Sequence, residues 1–159
     1  TARVRMLPDT AWKLEHNQRV RVHVGTAEVM ARCALLESET IRAGGAGWVQ
    51  LRLEEPVVAR AHDRLVIRAY SPVATIGGGL IAEATPPKRT RIDDSVRAGL
   101  EGLLEGDAGA RVRAILELAG WHGAEVVEGL LPPFEELVAL QITLVLNLQV
   151  TLAGVGEET

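Results

Sequence analysis

The sequence predicts a mainly β first half, a six-stranded antiparallel barrel over residues 1–86, then a linker at 87–91 and an α-rich, partly winged-helix-like segment over 92–159. Three observations point there. Short runs of Val, Leu, Ile and Arg recur at turn-like spacing through the first half. Pro86-Pro87 ends that pattern, because proline lacks the N–H that a sheet ladder needs. Beyond it the apolar residues change to a spacing of three and four.

The predicted strands are Val4 to Leu7, Arg19 to Val24, Ala27 to Leu36, Val49 to Leu53, Arg64 to Tyr70 and Gly79 to Ala84. Turns are expected at Gly25-Thr26, at the glycine-rich stretch 44–47 and at Ser71-Pro72, so Gly25 and Pro72 read as architectural. Alternation is strict in the second strand. It directs Val20, Val22 and Val24 to the core and Arg19, Arg21 and His23 to one outer face. Cys33 lies among hydrophobic residues and reads as a small buried side chain, not a reactive thiol. A lone cysteine forms no internal disulfide, which fits a reducing, cytoplasmic setting. Gly77, Gly78 and Gly79 also read as architectural, opening a strand that bulges or approaches another backbone closely.

In the second half, Val96, Leu100, Leu103 and Leu104 form one helical stripe. Asp107 then caps a second stripe of Val112, Ile115, Leu116 and Ala119, which Gly120 ends. From Ile142 to Leu152 every even position is apolar, a strand pattern with no charge or proline that invites pairing with another chain. Polar residues interrupt the uncharged stretch from Leu137 to Gly156 too regularly for a membrane-spanning helix. The opening residues do not build a secretory signal, and the absence of an initiator Met reads as a fragment or a processed protein.

Charge divides the chain. Residues 1–91 hold fourteen Lys/Arg against nine Asp/Glu, while residues 92–159 hold three against twelve. Only the basic half suits a polyanion, since phosphate binding is driven by Lys/Arg and counterion release. No G-x-x-x-x-G-K-[ST] motif occurs, and the glycines at 77–79 run into Thr-Pro-Pro instead of a helix, so neither a P-loop nor a dinucleotide fingerprint is present. The four histidines, His16, His23, His62 and His122, are scattered, and no nucleophile–base pair or carboxylate dyad stands out. Catalytic, cofactor-binding and metal residues are therefore not assigned.

Four ordered blocks carry a resemblance: residues 23–29 (HVGTAEV), 49–57 (VQLRLEEPV), 63–68 (DRLVIR) and 71–80 (SPVATIGGGL). Together they resemble the third domain of the selenocysteine-specific translation elongation factors, SelB. The resemblance implies a barrel like domain three of elongation factor Tu. It also implies a translational GTPase that delivers selenocysteinyl-tRNA to the ribosome, in which GTP and magnesium are handled by domains other than this one. Winged-helix domains follow the barrel in that family, and Leu104-Glu-Gly-Asp107 with Leu118-Ala-Gly120 is similar to the opening of the first of them. Two positions depart from the pattern: Ala43 replaces a common proline, and His62 a common glycine before Asp63.

Joined to the charge pattern, the resemblance makes Arg19, Arg21, His23, Arg32 and Arg68 candidates for contact with tRNA phosphates. Arg68 has an equally available structural role, pairing with Asp63 or Glu83. A structural spacer that makes no RNA contact is the alternative function.

Overall fold

A computed structural model describes residues 1–119. Its centre is a closed, all-antiparallel barrel of six strands: β1 (Ala2–Met6), β3 (Arg19–Val24), β4 (Ala27–Leu35), β6 (Ala46–Leu53), β7 (Arg64–Ala69) and β8 (Thr75–Ile81). Around the barrel the order is β1-β6-β4-β3-β7-β8, and the β1–β8 ladder closes it. Two short strands, β2 (Leu14–Glu15) and β5 (Thr40–Ile41), pair as a separate ribbon.

The alternation in β3 is realised: Val20 and Val22 are fully buried, and Arg19, Arg21 and His23 lie on the outside. Val4, Met6, Val49, Ile67 and Ile76 complete the interior with Cys33. Between β3 and β4 a two-residue turn places Gly25 at φ 57°, the sign that tight hairpin turns favour. The Ser71–Pro72 peptide, in the turn before β8, is cis.

Burial pushes the Cys33 thiol up to about 12, so it is protonated and poorly nucleophilic at neutral pH. Iodoacetamide is expected to leave Cys33 unmodified in the folded protein at mildly alkaline pH and to modify it once denaturant is added. Mass spectrometry reads both states, and modification without denaturant would contradict this packing.

The terminal barrel strands differ from the sequence expectation. β1 begins at Ala2 instead of Val4, and β8 runs from Thr75 to Ile81 instead of Gly79 to Ala84. The glycines therefore lie inside β8 and do not open it. A register shift between Ile67 and Arg68 pairs Ile67 with Gly77 and Arg68 with Thr75, which leaves Ile76 as the extra residue. Side chains would not fit here. A Cβ on Gly77 would lie 2.6 Å from the Arg5 carbonyl oxygen, and one on Gly79 would overlap the Arg3 carbonyl.

Two helices follow, α1 (Asp94–Glu105) and α2 (Ala108–Ala119). Asp93 caps α1 by accepting from the Val96 N–H at 2.8 Å, and Asp107 accepts from the Ala110 N–H at 2.8 Å, as the sequence suggested for the second cap. Leu100 is completely buried in a second core with Leu36, Trp48 and Ala82, joined by Val96, Leu103, Leu104 and Leu118. Helix α1 thus covers the outside of the barrel wall at Trp48.

The segment between barrel and helix has no strand or helix of its own, yet it is fastened at several points. Gln50, a buried polar residue of the wall, donates to the Pro87 carbonyl (2.7 Å) and accepts from the Arg89 N–H (3.0 Å). Arg89 forms a two-pronged pair with Glu83, and Ile92 N–H donates to Leu36 O. The expected strand at 142–152 and most of the winged-helix-like segment lie outside the described residues.

Candidate nucleic-acid interface

The outer faces of β3, β4, β6 and β7 bring the sequence-predicted cations together. Strand register places Arg52, Arg32 and Arg19 in one row across β6, β4 and β3. A second row sets Arg21 of β3 opposite Arg68 of β7. Arg52 was not among the predicted residues, because its place beside Arg32 depends on the β4–β6 register.

Two of these arginines are not free cations. Arg19 grips Glu54 with two hydrogen bonds, Nε to Oε1 at 2.8 Å and Nη2 to Oε2 at 2.6 Å. Arg21 Nη1 donates to Glu28 Oε1 at 2.6 Å. The Arg19 bond holds the Glu54 carboxyl below its usual range, the Arg21 bond does the same for Glu28, and the Arg19 guanidinium is raised in return. Both acids are therefore ionised at neutral pH. Tyr70 joins the cluster, with the Arg19 guanidinium 5.1 Å and that of Arg21 5.8 Å from its ring centre.

His23 Nε2 lies 3.3 Å from Glu28 Oε2 but off the direction that a hydrogen bond needs, so it has no partner; neither does Arg21 Nε or Arg68 Nε. Arg32 donates to the Asn17 carbonyl at 3.3 Å. Among the described residues no carboxylate lies within ion-pair distance of Arg32, Arg52 or Arg68. The suggested partners of Arg68 are engaged elsewhere: Asp63 accepts from the Arg60 N–H, and Glu83 holds Arg89. The face therefore sets five arginines and His23 against two glutamates. Among the described residues no cluster of three or more His, Cys, Asp or Glu is placed to hold a metal, and no helix is long and apolar enough to cross a membrane.

Residues 1–88, more than half of the chain, match the family described as selenocysteine-specific elongation factor, beta-barrel domain. The chain belongs to that family. A selenocysteine-specific elongation factor of Desulfomicrobium baculatum is 29% identical over 116 residues, which is 72% of this chain and 18% of that protein. The chain thus spans less than a fifth of the curated relative it matches, and the aligned length exceeds the barrel. His62, which departs from the glycine that the resemblance led us to expect, has φ 70° in this selenocysteine-factor barrel, the left-handed region that glycine enters most easily.

Proposed function

We propose that this chain is part of a factor that delivers selenocysteinyl-tRNA to the ribosome, and that its barrel grips the ribose-phosphate backbone of a tRNA stem. GTP and magnesium belong, on this reading, to other domains of the whole factor, and the site of action is the cytoplasm. The observation that carries it is the arginine rows. Like charges directly opposite one another on neighbouring strands destabilise a sheet. Arg19 and Arg21 are offset by Glu54 and Glu28, but a barrel that also keeps Arg52 beside Arg32, and Arg68 opposite Arg21, with no carboxylate paired to Arg32, Arg52 or Arg68 among the described residues, carries a cost that phosphate contacts would offset. Proteins hold A-form stems by shape, backbone and 2′-hydroxyl contacts, which arginine serves well.

Arg19 and Arg21, tied to Glu54 and Glu28, serve mainly to brace this face, and Arg32, Arg52 and Arg68 supply its net charge. The same two ion pairs favour the second reading, a spacer that touches no RNA. Fluorescence titration with the selenocysteine tRNA over a series of salt concentrations separates the two. Neutralising Arg32 and Arg68 together is expected to weaken binding about tenfold and to reduce the log–log salt slope by about one to two. Neutralising Arg19 and Arg21 has a smaller effect. Wild-type chain that binds no tRNA at low salt would favour the spacer.

A further inference from the structure

Strand β7 also borders a second arginine surface, which shares Arg68 with the rows above and adds Arg3, Arg5 and Arg64. Strands β1, β7 and β8 contain Arg3, Arg5, Arg64 and Arg68 and no acidic residue. Arg3 is occupied, donating to Glu105 of α1 at 2.8 Å. Arg5 and Arg64 are exposed, and no carboxylate among the described residues pairs with either.

Register sets the shape between them. Arg5 of β1 stands opposite Gly78 of β8, which stands opposite Val66 of β7, and Val66 stands opposite His23 of β3. One step along, Leu80 lies between Arg3 and Arg64. Gly78 has no side chain, so the wall is lowest there. Strands about 4.8 Å apart, with a rise of about 3.3 Å per residue, place Arg5 and the β7 arginines roughly 12 Å from each other across that low point. Its floor is apolar but open: Val66 is 41% and Leu80 37% exposed. Cations flanking a shallow apolar strip suit a sugar-phosphate strand, in which charged phosphates alternate with ribose faces.

We propose that this strip is a second grip for the same double-helical RNA, with Arg5 and Arg64 contacting phosphates of a strand that crosses β8 at Gly78. Because β7 borders both surfaces, Arg68 lies at their junction and the RNA wraps around that strand. The inference rests on the RNA-binding reading above and adds the residues and the path.

The test titrates the full chain with a labelled RNA hairpin across a salt series and compares three double variants: Arg5→Gln/Arg64→Gln, Arg5→Lys/Arg64→Lys and Arg32→Gln/Arg52→Gln. Unchanged circular dichroism and melting establish that each is folded. The Arg5→Gln/Arg64→Gln variant is expected to bind about tenfold more weakly with a salt slope smaller by about two, and the lysine variant to retain the wild-type slope. If the wild type and Arg5→Gln/Arg64→Gln bind alike while Arg32→Gln/Arg52→Gln is weakened, the strip is not a contact and the first grip stands alone. Failure of the wild type to bind overturns both readings.

Discussion

Gly79→Ala is expected to stop the barrel from closing. Gly79 pairs with Val4 of β1 on one side and Leu65 of β7 on the other, and the atoms that its new methyl would meet are the Arg3 carbonyl and the Val4 Cα. These are backbone atoms, with no rotamer to move aside. Relief requires β1 to separate from β8, which breaks the ladder that joins the first strand to the last. Overpacking of this kind costs about 3 kcal/mol or more. That is a large share of the ~5–15 kcal/mol that stabilises a domain. Gly25→Ala makes the contrast, since nothing lies within 4 Å of its Cβ and only the positive φ is strained. It should cost about 1 kcal/mol. Urea unfolding followed by circular dichroism distinguishes the two, and equal midpoints would show that β8 does not approach β1 this closely.

The second large effect is expected at Arg89. Its guanidinium and the Glu83 carboxylate form a pair whose side chains are only 10% and 15% exposed. Arg89→Ala leaves Glu83 without its partner in a largely dry site, at a cost of about 3 kcal/mol. The connector then loses its side-chain anchor and is held only by backbone bonds, those of Gln50 to the Pro87 carbonyl and the residue-89 N–H and that of the Ile92 N–H to Leu36. Trypsin should then cut after Lys88 and Arg91 faster than in the wild type, and Arg89→Met/Glu83→Gln should recover much of the loss because neither charge of the pair remains. Equal cleavage rates in wild type and Arg89→Ala would mean that the pair does not fasten this segment.

Much of the fold was legible wherever hydropathy alone carries the signal. In β3 the valines at 20, 22 and 24 alternate with polar residues without interruption, and the structure buries all three. The helical stripes were equally plain, since Val96, Leu100, Leu103 and Leu104 need only a three-and-four spacing. Strand β8 was displaced because glycine has no hydropathy signal and looks like a turn, although here it is what allows the ladder to form. Strands β2 and β5, at two residues each, are too short for any periodicity to show.

The candidate interface was half legible. Alternation placed Arg19, Arg21 and His23 on one face, but the charge of that face depends on partners distant in sequence. Glu54 reaches Arg19 from thirty-five residues away, and only the β3–β4–β6 register brings it there. Arg52 escaped notice for the same reason. Gln50 and Arg89 are thirty-nine residues apart, and nothing in the composition of a proline-bounded connector suggests that it is clamped. Long-range pairing decides these features, and local pattern does not encode it.

That same register carries the central functional claim, that the barrel wall around β7 faces an RNA backbone. Chemical-shift mapping of the isotope-labelled chain during titration with the selenocysteine tRNA tests it most directly. Amide shifts are expected at Arg32 and Arg52, along Val66 to Arg68, and across Gly78 and Leu80, with α1 and α2 unmoved. A spectrum that does not change, or one whose changes are confined to the helices, would contradict the claim.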